Sequence, residues 1–268
     1  MKAAEKLDLK FSQGKHICVG LDTDPAKIPA HLKNETDAIY LFNKGIVEAT
    51  IQDAAAYKLN FAFYECHGPE GMEAMRRTVE LIRSLDPAVA VIGDAKRGDI
   101  GNTSTMYANA IFNIYGFDCS TLAPYMGKDS LDPFFAFSDR INFVLVLTSN
   151  PGSRDFEKLE LSTGGPLYRE VLRRLRSWYP AENLGMVFGA TNKTDLENDI
   201  AELKDNFILL PGVGAQGGSA SEISSVFRSA GHSRFLINSS RNVIYASPGT
   251  GFAEAAANEL RVLNSQTA

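Results

Sequence analysis

The feature that most constrains this chain is a repeated alternation of short, β-branched apolar runs with longer amphipathic stretches. The apolar runs span residues 16–22, 55–63, 88–94, 118–123, 142–149, 184–190, 207–210 and 234–238. Between and after them the spacing predicts helices near 37–53, 70–85, 103–115, 130–137, 165–178, 195–204, 221–229 and 252–263. In the first of these, Ile39, Phe42, Ile46, Val47 and Ile51 share one broad face. The strand candidates are continuously apolar, the pattern of a parallel sheet buried on both sides. Eight cycles in 268 residues give about 33 residues per cycle, the size of a β-α-β unit. No Pro/Gly/Ser-rich linker interrupts the series. The expected fold is α/β, a TIM (β/α)8 barrel forming a single domain over residues 1–268. An open doubly wound sheet is the alternative that the same alternation allows.

Composition narrows the function classes. The net charge is -5, and no Lys/Arg-rich run appears, which argues against binding a nucleic-acid polymer. With 44% hydrophobic residues the chain is not a disordered one. Cys18, Cys66 and Cys119 show no CxxC spacing, so neither a disulfide framework nor a zinc pattern is expected, and all three are expected to be buried thiols. Residues 1–10 are charged and lack the apolar core of a secretory leader. No apolar stretch approaches the roughly 18 residues of a membrane span. A cytoplasmic location, with no membrane partner, is the expectation.

In a barrel, chemistry sits at the C-terminal ends of the strands. Those ends carry Asp22, Lys58, the stretch Asp94-Ala95-Lys96-Arg97-Gly98-Asp99, then Thr148-Ser149-Asn150, the glycine-rich segment 211–218, and Ser239-Ser240-Arg241. Asp94 and Lys96 stand two apart on a strand, so alternation points both to one face. A D-x-K-x-x-D pattern arises by chance in about 5% of chains this long, so the spacing alone decides little. Its alternative reading is a solvated charged loop.

The flanking residues add to it. Asp94 through Asp99, continued by Ile100-Gly101-Asn102-Thr103, resembles the signature of the orotidine 5′-phosphate decarboxylase family. The likeness continues in family order at Gly20-Leu21-Asp22, Tyr57-Lys58, Leu147-Thr148-Ser149, residues 211–218 and Arg241, covering most of the chain. The lengths between these motifs resemble the longer bacterial form of the family.

The resemblance implies decarboxylation of orotidine 5′-monophosphate to UMP, the last step of de novo pyrimidine nucleotide biosynthesis, with no metal and no organic cofactor. It implies that Lys96 stabilises and protonates the C6 carbanion, that Asp94 holds Lys96 and faces the substrate carboxylate, and that Lys58 completes an alternating Lys–Asp–Lys–Asp chain. Asp99 and Thr103 are expected to reach the site of a neighbouring subunit in a homodimer. Asp22 is expected on the ribose hydroxyls and Ser149 on the pyrimidine edge. Gln216 is expected to bridge base and phosphate, and Gly217 and Arg241 to hold the phosphate. Segments 151–165 and 216–221 are the candidate lids.

Sugar-phosphate enzymes on the same barrel share D-x-K-x-x-D and use Mg²⁺. The Ile100–Thr103 extension, Ser149 and Gln216 favour the nucleotide reaction. A binding protein without turnover is the third reading, and the intact set of catalytic residue types counts against it. One departure stands out: many family members have Gly where this chain has Ser240. His16, His31, His67 and His232 match no catalytic position.

Overall fold

The computed structural model describes residues 1–212 and 219–267. Eight parallel strands close into a barrel in the order β1 to β8, each hydrogen-bonded to its sequence neighbours and β8 to β1. The elements are α1 (Ala3–Ser12), β1 (Ile17–Gly20), α2 (Ala38–Thr50), β2 (Ala56–Asn60), α3 (Ala62–Glu65), α4 (Gly68–Leu85), β3 (Ala90–Arg97) and α5 (Gly101–Asn109). They continue with β4 (Cys119–Leu122), α6 (Lys128–Phe135), β5 (Ile141–Leu147), α7 (Leu167–Trp178), β6 (Leu184–Phe188) and α8 (Lys193–Leu203). The chain closes with β7 (Phe207–Leu210), α9 (Ala220–Ser229), β8 (Phe235–Ser239), α10 (Arg241–Ile244) and α11 (Phe252–Thr267). The closed ladder excludes the open doubly wound sheet.

The strands sort their residues by a period of two. Val19, Tyr57, Leu59, Val91 and Val144 face outward and pack under the helices in the larger apolar cluster. Cys18, Ala56, Ile92, Cys119, Phe143, Val187, Leu209 and Leu236 face inward and fill the barrel. Helix ends follow local chemistry. Pro69 lies in the first turn of α4, where its missing N–H costs nothing, and Pro87 follows the extended Asp86 that ends it. Ser219 caps α9 by accepting from the Glu222 amide.

Five features differ from the expectation. The charged segment 1–10 lies largely within a helix, α1, that seals the N-terminal end of the barrel. Ala3, Leu7 and Phe11, spaced four apart, join the interior cluster. Its lysines are buried with partners: Lys6 Nζ lies 2.8 Å from Asp118 Oδ1 and Lys10 Nζ 2.8 Å from Asp86 Oδ2. The second apolar run stops being a strand at Asn60, because residues 62–65 turn into α3. The third runs past Asp94 to Arg97, so that Lys96 lies within the strand. The helix expected to end near 115 passes after Asn109 into a wider π-helical turn, Ala110–Ile114. Of the cysteines, Cys18 and Cys119 are buried as expected, but Cys66 is exposed, since it follows α3 rather than lying in a strand. Burial pushes the Cys18 thiol up to about 12.

Candidate active site

The inward row of several strands is apolar through the barrel and turns polar at the C-terminal end. On β1 it runs from Cys18 through Gly20 to Asp22, on β2 from Ala56 to Lys58 and Asn60, and on β3 from Ala90 through Ile92 to Asp94. On β4 it runs from Cys119 to Thr121, and on β8 from Leu236 to Asn238 and Ser240. The same period that fills the core therefore delivers polar side chains to the mouth. They line two adjoining cavities of about 220 and 200 Å³, which share Lys58, Asp94, Ser149, Pro211 and Asn238.

The charges at the mouth are chained. Lys58 Nζ donates to Asp22 Oδ1 at 3.2 Å and to Asp94 Oδ2 at 3.0 Å. Lys96 Nζ donates to Asp94 Oδ1 at 2.7 Å, and Thr121 Oγ1 donates to the same oxygen at 2.8 Å. The result is an alternating series Asp22–Lys58–Asp94–Lys96. Lys58 is 4% exposed and Asp94 7%, while the Lys96 side chain is 49% exposed and stands in the opening. Burial alone would push the Asp94 carboxyl up; Lys58 and Lys96 outweigh it and hold the group well below the usual carboxylate range. Burial alone would push Lys58 down; Asp22 and Asp94 reverse this and raise it above an ordinary lysine. Both groups stay ionised across the neutral range, as buried charges do only when each is paired.

Lys96 reaches Asp94 in an unexpected way. Its backbone has φ +47°, the left-handed region, and the β3–β4 register shifts between Gly93 and Arg97. The strand bulges there, so plain alternation is not what brings the two side chains together. The bulged amide of Lys96 donates to Thr121 Oγ1 at 2.9 Å.

Asp22 is fixed from a second side. Ser240 Oγ donates to Asp22 Oδ2 at 2.8 Å. The serine fits because Gly20 faces it: a Cβ on Gly20 would lie 1.9 Å from Ser240 Oγ. The departure at Ser240 thus gives Asp22 an extra donor. Ser149 lines both cavities, and its carbonyl accepts from Thr191 Oγ1 at 3.2 Å. The Glu157 carboxylate accepts from the Thr148 amide at 2.7 Å and from Thr148 Oγ1 at 2.9 Å, which ties segment 151–165 to the end of β5. Arg241 opens α10 and lines the first cavity.

Asp99 and Thr103 are not brought into this chain's own mouth. The Asp99 carboxylate accepts from the Ile100 amide at 2.7 Å, and among the described residues it makes no ion pair with Lys58 or Lys96. Gln216 and Gly217 lie outside the described residues. Asn60, Thr121 and Asn238 line the cavities without having been singled out in the sequence. Each stands two residues beyond an inward apolar residue, or four beyond one on β2, and that spacing was the available signal. Among the described residues no group of three His, Cys, Asp or Glu is placed to hold a metal ion, and no helix is long and apolar enough to cross a membrane.

Fold and site together define a (β/α)8-barrel enzyme with a lysine–carboxylate centre at the strand ends. The profile of the orotidine 5′-phosphate decarboxylase / HUMPS family matches residues 15–256, and the chain belongs to that family. An orotidine 5′-phosphate decarboxylase of Christiangramia forsetii is 45% identical over 269 residues, covering 100% of this chain and 98% of the relative. One of Flavobacterium johnsoniae is 47% identical over 244 residues, covering 91% of this chain and 88% of the relative. Among solved structures, the OMP decarboxylase of Leishmania donovani superposes with a TM-score of 0.81 at 32% identity, covering 99% of each chain.

Proposed function

We propose that this mouth converts orotidine 5′-monophosphate to UMP, with Lys96 as the group that meets and protonates C6. The chain is a carboxy-lyase of pyrimidine biosynthesis. Breaking the bond from C6 to the carboxylate releases CO₂ and leaves the electron pair on C6, in the ring plane, where the π-system cannot delocalise it. Fixed charge must stabilise that pair. An ammonium held 2.7 Å from Asp94, with its free end in the opening, is the observation that carries this reading. The Lys96 Nζ–H proton passes to C6, and solvent returns a proton to the neutral amine.

Asp94 holds that ammonium and faces the departing carboxylate. Lys58 keeps Asp94 ionised. Asp22, an acceptor-only group, suits the ribose diol. Ser149 and Gln216 read the pyrimidine, and Arg241 with Gln216 and Gly217 takes the phosphate. Asp99 and Thr103 serve the neighbouring subunit of a homodimer. Supporting this, the Asp99 carboxylate accepts from the Ile100 amide and, among the described residues, makes no ion pair with its own Lys96, and the large apolar side chains Ile100 and Met106, close to Asp99 and Thr103 in sequence, are exposed. The whole chain acts as one domain, and its free cysteines fit a cytoplasmic setting.

The test is pure protein with orotidine 5′-monophosphate in EDTA, followed by loss of orotate absorbance. Turnover is expected. No turnover refutes the reading, and turnover that appears only with Mg²⁺ points instead to the sugar-phosphate branch of the family.

A further inference from the structure

We infer that Thr121 is a positioning residue for this reaction, its hydroxyl setting both the backbone and the counter-ion of Lys96. The inference rests on the role proposed above for Lys96. Thr121 lies on β4, 1% exposed, and lines the inner cavity. Its Oγ1 accepts from the Lys96 amide at 2.9 Å and donates to Asp94 Oδ1 at 2.8 Å. One oxygen therefore touches both halves of the Lys96–Asp94 pair.

The two contacts do different things. Lys96 sits at φ +47°, a conformation that a residue with a Cβ adopts only when its surroundings hold it. Through the bulge the β3–β4 register shifts, so the Lys96 amide goes to the Thr121 hydroxyl beside the regular ladder. Without that acceptor the amide is left unpaired in a part-buried place, and the bulge loses its anchor. The second contact falls on the Asp94 oxygen that also takes the Lys96 ammonium. Lys58 holds the other oxygen. With three donors on two oxygens the carboxylate plane is fixed, and with it the direction in which the Lys96 Nζ points into the mouth.

The hydroxyl is thus the part that matters, not the volume. Thr121→Val keeps the shape and removes both contacts, whereas Thr121→Ser keeps both. Kinetics of the two variants with orotidine 5′-monophosphate make the test, alongside Lys96→Ala and thermal melting of each protein. The expected result is a fall in kcat of about 10- to 100-fold for Thr121→Val, the effect of one charge-assisted hydrogen bond, with KM changed less than about threefold. Thr121→Ser should retain kcat within about threefold of the parent. If Thr121→Val does not fold, Thr121→Cys, close in volume and a feeble donor, takes its place in the comparison.

Parental kcat in Thr121→Val or Thr121→Cys overturns the inference. So does an equal loss in the Ser and Val variants, which marks packing rather than the hydroxyl as the cause. The Lys96→Ala control separates the two levels: parental turnover there removes the role of Lys96 itself. An inactive Lys96→Ala beside a fully active Thr121→Val removes only the role of Thr121.

Discussion

Gly20→Ala probes whether the seam between β1 and β8 sets the geometry of Asp22. A Cβ there would stand 1.9 Å from Ser240 Oγ, 2.9 Å from Ser240 Cβ and 3.2 Å from Asn238 Oδ1. The first two distances are not survivable, so Ser240 must turn away and give up its 2.8 Å hydrogen bond to Asp22. Overpacking of a tight site costs about 1–3 kcal/mol. Loss of a hydrogen bond to a charged group costs about 1.5–3 kcal/mol, and the low end applies because the bond is only part-buried. Together the cost is about 3 kcal/mol, which in a chain of this size lowers Tm by roughly 6–12 °C. Ser240→Gly removes the hydrogen bond without any clash and should cost about half as much. The double variant should then be no less stable than Ser240→Gly alone, a coupling of about 3 kcal/mol read by thermal melting of all four proteins. In each variant the freed Asp22 should raise KM for orotidine 5′-monophosphate by up to about tenfold. If Gly20→Ala is as costly in the Ser240→Gly background as in the parent, the clash lies elsewhere and the reasoning is refuted.

Mixing inactive Asp99→Ala with inactive Lys96→Ala under conditions of subunit exchange should restore part of the activity, because hybrid dimers hold one intact site; exchange without recovery contradicts a shared site. His16 and His232 are both pushed below the ordinary histidine value, chiefly by burial. Their contribution to stability is complete above the unfolded value of about 6.5 and is lost as pH falls below it, since the unfolded chain then binds more protons. His16 stacks between Phe11 and Phe235, so His16→Phe keeps the stack, and the drop in Tm from pH 7 to pH 5.5 should shrink; an undiminished drop argues against the histidine. Lys6→Met should destabilise by about 2–3 kcal/mol, less than the full penalty of an orphaned buried charge, because Arg83 and Arg140 remain 3.8 and 3.6 Å from Asp118. An unchanged denaturation midpoint would show that Lys6 contributes no net stability.

Much of the barrel was legible because strands buried on both faces must be apolar throughout, and such runs are easy to see at 17–20, 141–147 and 207–210. Helix α1 was not, because Lys6 and Lys10 mask its apolar spacing. Only the fold reveals that Asp118 and Asp86 wait for them. At the mouth, charged residues in strand ends were conspicuous, and Asp22, Lys58, Asp94 and Lys96 do meet. The bulge that lets Lys96 do so was invisible, since nothing in Asp94-Ala95-Lys96 requires a left-handed lysine; the requirement comes from Thr121 on the next strand. Neutral residues such as Thr121, Asn60 and Asn238 are marked only by their spacing from inward apolar residues, a signal that charge did not reinforce. Ser240 looked like a departure from the family pattern, and its meaning depended on Gly20, far away in the chain.

The closing seam also governs when activity can arise during synthesis. Ile17 pairs with Ile237 and Cys18 with Asn238, so the first strand made waits for the last. Until β8 emerges from the ribosome, a growing chain holds Lys58, Asp94 and Lys96 but has no Ser240 to hold Asp22 and no Arg241. Pairing across so long a stretch is slow, and both edges of the unfinished sheet remain open to other chains in the meantime. Catalytic competence is therefore a terminal event of translation, and a prematurely ended product is inert and prone to aggregation rather than partly active.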